Sequence, residues 1–341
     1  MIDAFGRGFE TVLSRISLIA LPVFLDLFLW LGPQLSVAPL TAELGTLLED
    51  QLQAAELPVE MYQAVQTTLE RSGENLNVFG FLSTSPLGVP SMMVASGSRG
   101  TPLGSELRIP ITTGGSLFIL SVGLNVTGLF LAAVFFGMIA RDVLPVDDRW
   151  SEEQNLERLW FSWVRILGFG ASLLLAMFLL GLLIAVLSTL LSLLHAFLGG
   201  VATSLGIALW IWTLLFVAFT VHGVVMHNFA LLPALRKSIR LVRWNMSAVT
   251  GLFIIVLILS WGLGFLLSMP SRESWLLLAA IVAHGFVASG VVASTFHFYQ
   301  DRLRWCDEMD GMRLKEHDRS PDREHTHILE EGKSGASTKE E

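Results

Sequence analysis

Residues 166–235 read ILGFGASLLLAMFLLGLLIAVLSTLLSLLHAFLGGVATSLGIALWIWTLLFVAFTVHGVVMHNFALLPAL. These seventy consecutive positions, bounded by Arg165 and Arg236, hold no Asp, Glu, Lys or Arg. A helix needs roughly 20 apolar residues to cross a hydrocarbon core, so the stretch predicts two spans joined by a tight turn. Composition agrees: 52% of the chain is apolar and 15% is charged, where soluble domains carry about 25% charged residues.

The same test finds four more windows. Residues 16–42 carry only Asp26, and residues 109–140, 244–271 and 274–300 carry no charge. The expected spans are 16–36, 116–140, 167–190, 204–228, 246–269 and 275–298. Lipid offers no partner to an open backbone, so each span must be a helix. The expected fold is therefore all-α, a polytopic membrane protein of six transmembrane helices in three hairpins. An even number of spans puts both termini on one side. Arg7, Arg15, Arg141, Arg149, Arg158, Arg165, Arg236, Lys237, Arg240, Arg243, Arg302 and Arg304 flank the spans on that side, which predicts that it is cytoplasmic. Trp150, Trp160, Trp163, Trp244 and Trp305 are expected at the inner interface. Trp30, Trp210, Trp212, Trp261 and Trp275 belong to the outer thirds of their spans.

Four segments follow: an amphipathic lead-in with span 1 (1–36), an outer loop (37–115), the membrane domain with spans 2–6 (116–298), and a cytoplasmic tail (299–341). Pro39 after Ser36-Val37-Ala38 blocks a cleavage site there, so span 1 reads as a retained anchor. The outer loop opens with Leu40, Leu44, Leu47, Leu48 and Leu52 at helical spacing. A second such run holds Leu57, Met61, Tyr62, Val65 and Leu69. Glu43, Glu49, Asp50, Glu56, Glu60, Glu70 and Glu74 make the pair acidic. An extracytoplasmic helical cap is the expectation, followed by a Gly-, Ser- and Pro-rich stretch over 75–113. The tail should extend the last span to about Leu314. From about residue 317 it is too polar to bury a core and should be disordered.

A basic amphipathic segment leads into each hairpin: 5–15, 159–167 and 235–245. In the third, Arg236, Arg240 and Arg243 share one helix face, with Lys237 beside them, while Leu235, Ile239, Val242 and Met246 make a neighbouring apolar face. These four cations are candidates for binding anionic lipid; the alternative role is a topological anchor. This segment, Leu235-Arg-Lys-Ser238-Ile-Arg-Leu-Val-Arg243-Trp-Asn245 followed at once by a span, resembles the recurring segment of the glycerophosphodiester phosphodiesterase membrane-domain family and related bacterial membrane proteins. The likeness covers about residues 229–270. It implies six spans with amphipathic lead-in helices in a bacterial-type inner membrane. It implies no activity, because no stretch of this sequence is long enough to hold a barrel enzyme. The first hairpin, with its long outer loop, departs from the family's pattern.

Asp26 is the sharpest chemical feature. A carboxylate inside a span costs about 2.5–3.5 kcal/mol and by default marks an ion or proton path or a buried partner. Asn125 and His284 fall at similar depth, so the three can form one polar cluster, either as a relay or as a bond between helices. His222, His227 and His297 read as interfacial. The first two are five residues apart, not the four of a zinc-protease helix. His317, His325 and His327 lack further ligands. No metal site, cofactor motif, P-loop or nucleophile elbow is present in the sequence, and the only cysteine is Cys306. The net charge of −8 argues against nucleic acid as a partner. The expected function is that of a non-enzymatic scaffold or accessory subunit of a membrane complex. Its partners would be the bilayer and a membrane protein docked on 37–115. The alternatives are a small transporter using Asp26, Asn125 and His284, and a lipid-handling protein.

Overall fold

A computed structural model describes residues 2–54, 59–84, 87–94, 100–104 and 106–318, and their side chains apart from those of 49–54, 59–62, 148, 152 and 310–318. The disorder expected of the tail beyond Asp318 lies outside these residues, as do the side chains of Glu49, Asp50, Glu56 and Glu60. Among the described residues the chain is all-α except for two three-residue strands.

Helix α1 (Ile2–Ser14) is followed by a 3-10 turn (Ile16–Ile19) and α2 (Ala20–Leu31); strand β1 (Gln34–Ser36) comes next. The outer loop holds α3 (Ala38–Ala54), α4 (Val59–Asn75), a second 3-10 turn (Val78–Leu82) and strand β2 (Arg108–Pro110). Then come α5 (Gly114–Val143), α6 (Glu152–Leu194), α7 (Ala196–Val217), α8 (Thr220–His227), α9 (Leu231–Trp244), α10 (Met246–Leu267) and α11 (Leu276–Asp318). Among the described residues, five helical stretches are long and apolar enough to cross a membrane: α5, α6, α7 continued through α8, α10 and α11. The first expected span makes a sixth only if α1 and the helix after it count as one, and those two are bent by 97°.

Span 1 is thus shorter than the helix expected over 16–36. Its α-helical part stops at Leu31 because Pro33 disfavours a helical conformation at Gly32. The next three residues instead pair in parallel with β2, Gln34 opposite Arg108. Nor does α2 form a packed hairpin with α5. It lies against α11, while α6 with α7 and α10 with α11 do pack as pairs. The second lead-in is continuous with its span in α6, whose 43 residues extend about 65 Å at 1.5 Å per residue.

Helix α11 is the centre of the bundle, touching α1, α2, α5, α9 and α10. Close approach is made by small residues, the usual device where lipid removes the hydrophobic drive between helices. A Cβ on Gly8 of α1 would fall 2.5 Å from the Ser294 backbone nitrogen of α11, and one on Gly285 would fall 2.7 Å from Val23 of α2. Around these contacts Trp30, Phe135, Phe219, Phe296, Phe298 and Tyr299 are fully buried. Two pairs of tryptophans meet within the bundle. Trp30 meets Trp275 with ring centroids 5.9 Å apart, and Trp244 meets Trp305 at 6.4 Å.

Candidate functional site

Asp26 sits in the middle of α2 with no exposed surface. Its carboxylate is held by the outer loop. The Ser91 hydroxyl and the Met93 N–H (3.2 Å) donate to Oδ1, and the Met92 N–H donates to Oδ2 at 3.2 Å. Two successive backbone N–H groups with an adjacent hydroxyl make a concave anion cradle. Nδ1 of His284, from α11, lies 3.5 Å from Oδ2, an ion pair when the imidazole is protonated. Three elements far apart in sequence meet at one carboxylate.

The loop reaches that depth for local reasons. Thr84 takes positive φ. The Ser83 hydroxyl donates to Val89 O at 2.7 Å, and Leu87 N–H donates to Thr84 O at 3.0 Å. The turn is so tight that a Cβ on Gly88 would fall 1.7 Å from Ser83 O, so only glycine fits there. Val89, Met92 and Met93 then bury their side chains in the main core. The loop is seated a second time on α5, where a Cβ on Gly128 would lie 2.5 Å from Leu82 O. A third fastening is a small core of Leu35, Val37, Val78 and Ile111. There Asn77 Oδ1 accepts from the N–H groups of Leu35 and Phe79.

Of the expected cluster, Asp26 and His284 meet. Asn125 is part-buried and donates to Ser121 O of its own helix at 2.8 Å; no described contact joins it to the other two. Ser91, Met92 and Met93 were not legible as partners, because two of the three donors are main-chain groups that any residue carries.

The four cations of α9 divide. Arg240 pairs with Asp307 of α11 at 3.1 Å and Lys237 with the same carboxylate at 3.8 Å, whereas Arg236 and Arg243 are exposed. The buried face is Ala234, Ser238, Leu241 and Val242, displaced from the expected apolar face, and Ile239 is exposed. Ser238 accounts for the displacement. Its hydroxyl donates to Phe216 O at 2.7 Å and accepts from Phe219 N–H at 3.2 Å. These two backbone groups are freed by the break between α7 and α8, and lipid could not satisfy them. After α8, Asn228 ends the helix in the left-handed region with φ 53°. Its carbonyl accepts from Arg165 at 2.9 Å, and its side-chain oxygen accepts from the same guanidinium.

The histidines read as interfacial are packing residues. His222 shares a hydrogen bond of 2.9 Å with Thr295 and its ring lies 4.3 Å from that of Phe296. His297 shares one of 3.0 Å with Thr11 of α1. Among the described residues no group of three His, Cys, Asp or Glu is placed to hold a metal ion. Compared with protein-family models, with curated proteins and with solved structures, the chain matches none of them.

Proposed function

We propose that the chain is a non-enzymatic scaffold or accessory subunit of a membrane complex, with both termini cytoplasmic and the outer loop serving as a docking platform for a protein partner. The observation that carries this reading is the way that loop is fastened. Its Ser91–Met93 segment is bound to Asp26, its 3-10 turn is seated on Gly128, and its ends are tied by β1 and β2. Above this base stand α3 and α4, clamped where Gly73 meets Thr41 and Ala38. Leu44 and Leu47 are exposed on α3, next to exposed Glu43, and Glu70 is exposed on α4. Ordering so long a loop costs conformational entropy, and the fastening offsets that cost. An acidic helix pair with uncovered leucines suits a partner with a basic, partly apolar face.

The transport reading is disfavoured, because the loop covers the one intramembrane carboxylate and occupies both of its oxygens. Lipid handling keeps one specific support, the exposed Arg236 and Arg243 beside paired Lys237 and Arg240. Photo-crosslinkers at Glu43 and at Glu70, in the native membrane, test the docking reading. A single stoichiometric protein adduct is expected, lost when Glu43→Lys and Glu70→Lys are combined. A chain that purifies alone and crosslinks only to lipid or to itself refutes it.

A further inference from the structure

Helix α1 is bent by 97° from the helical stretch Ile16–Leu31. That stretch runs antiparallel to α11: Val23 meets Gly285, Asp26 meets His284 and Trp30 meets Trp275. Helix α1 therefore crosses α11 close to a right angle. We propose that α1 is an in-plane membrane helix, its edge of Ile2 and Leu13 buried among lipid acyl chains in the leaflet that surrounds Ser294 of α11. This lies beyond the docking reading and uses none of its residues.

Three observations support this. The first is depth. The crossing is centred on Ser294, against which Gly8 packs. From Trp275, at the other end of the span, α11 rises about 28 Å to Ser294, close to the roughly 30 Å of a hydrocarbon core. Helix α1 thus lies where acyl chains meet headgroups. The second is the division of its surface. Ala4, Gly8 and Val12 are buried in the bundle. Ile2, Gly6, Phe9 and Leu13, at i, i+4, i+7 and i+11, form an apolar edge beside them, on which Ile2 is 82% and Leu13 66% exposed. Asp3, Arg7, Glu10 and Ser14 repeat that spacing as a polar edge, with Asp3, Glu10 and Ser14 exposed. The third is orientation, which α11 fixes. Phe9, from the apolar edge, packs on Phe286 with ring centroids 5.8 Å apart and covers Gly290, both on the midplane side of Ser294. Arg7, from the polar edge, pairs with Asp301, and Thr11 shares its hydrogen bond of 3.0 Å with His297, both on the headgroup side. The apolar edge is aimed into hydrocarbon and the polar edge at water, as an interfacial helix requires. The partner is the acyl layer and not an anionic headgroup. Both cations of the segment are taken, Arg7 by Asp301 and Arg15 by Asp142 at 2.9 Å, and Asp3 and Glu10 add negative charge to the polar edge.

Spin labels on single cysteines test the placement. Ile2→Cys and Leu13→Cys report on the apolar edge, Glu10→Cys and Ser14→Cys on the polar edge. All four positions are exposed, so the substitutions disturb no packing, and the native Cys306 is buried. The full chain is labelled and reconstituted into phosphatidylcholine bilayers with and without phosphatidylglycerol. The access of oxygen and of a water-soluble nickel chelate to each label is then measured. Labels at Ile2→Cys and Leu13→Cys are expected to favour oxygen and to sit about 5–10 Å into the headgroup–acyl boundary. Those at Glu10→Cys and Ser14→Cys should favour the chelate, and the pattern should be the same in both bilayers. The same reagent preference at both edges overturns the proposal. Labels on the apolar edge closed to both reagents overturn it in favour of a protein contact. An apolar edge that enters the bilayer only when phosphatidylglycerol is present overturns the choice of acyl chains over headgroups.

Discussion

Asp26→Asn changes one oxygen for an amide nitrogen and removes one charge. The new side chain has two orientations. With its oxygen at the Oδ1 position it still accepts from Ser91 and Met93, but its NH₂ then faces the Met92 N–H, which loses its acceptor. With the oxygen at Oδ2, Ser91 and Met93 lose theirs. The first orientation costs less, and its cost has two parts. The bonds to Ser91 and Met93 cease to be charge-assisted, and one buried N–H is left unsatisfied, about 1–3 kcal/mol alone. Relief from burying a charge offsets part of this. We expect a net loss of about 3 kcal/mol, so on the scale of 2–4 °C per kcal/mol a fall in the melting temperature of roughly 6–12 °C. The local signature is sharper. Hydrogen exchange at Met92 should accelerate about thirtyfold, the equivalent of roughly 2 kcal/mol of protection, with a smaller change at Met93. Gly88→Ala attacks the same latch from the loop side, since its Cβ would fall 1.7 Å from Ser83 O. Combined with Asp26→Asn it should cost clearly less than the sum of the two. Unchanged exchange at Met92 in a folded Asp26→Asn variant refutes the latch. If that variant also lost flux of a solute, the relay reading would replace it.

Two further substitutions probe the broken helix between Ala196 and Asn228. Ser238→Ala strips Phe216 O and Phe219 N–H of their partner; a loss of about 1–3 kcal/mol is expected, read as a lower melting temperature and faster exchange at Phe219. A stability equal to the parent's would mean that other groups satisfy the break. Asn228→Ala places a Cβ residue without local hydrogen bonding in the left-handed region, about 1–2 kcal/mol uphill, and removes an acceptor from Arg165. Asn228→Gly restores the backbone but not the acceptor, so it should recover part of the loss. Equal melting temperatures for the two would show that φ at this position carries no strain.

The helices were legible because charge-poor windows of span length leave few other folds. α5, α10 and the beginning of α11 fall within a few residues of their expected positions. Span 1 misled because its composition satisfies the same test, although Gly32-Pro33 already marks where a helix must stop. The face of α9 misled for a different reason. Ser238 counts as polar in any periodicity, yet it is buried to serve a backbone break in another helix, and no pattern within α9 contains that information. Asp26 with His284 was found by depth alone, since two ionisable groups at one level of a bundle need each other. The depth of Ser91–Met93 was hidden because the run from Val89 to Val94 reads as a loop with some apolar residues.

The N-terminal helix shows which kind of contact holds this bundle. Arg7 of α1 pairs with Asp301 of α11, but the two side chains are 40% and 44% exposed. A pair so accessible contributes at most about 1 kcal/mol and is screened by salt. The next residue, Gly8, lets the α1 backbone close on Ser294. A methyl group at Gly8 cannot be absorbed by a side-chain rotation, because the atoms it meets include the Ser294 nitrogen and Cα, at 2.5 and 2.7 Å. The helices must separate, at about 1–3 kcal/mol, and the Thr11–His297 contact beyond loses register. Gly6, two residues earlier, has nothing within 4 Å of its Cβ position, so Gly6→Ala should gain up to about 1 kcal/mol from helix propensity. The expected order of damage is Gly8→Ala well above Asp301→Asn, with Gly6→Ala neutral or stabilising. Melting temperatures of the three variants at low and high salt decide it. If Asp301→Asn proves the most damaging, with an effect that fades as salt is raised, charge rather than close packing holds α1 to the bundle.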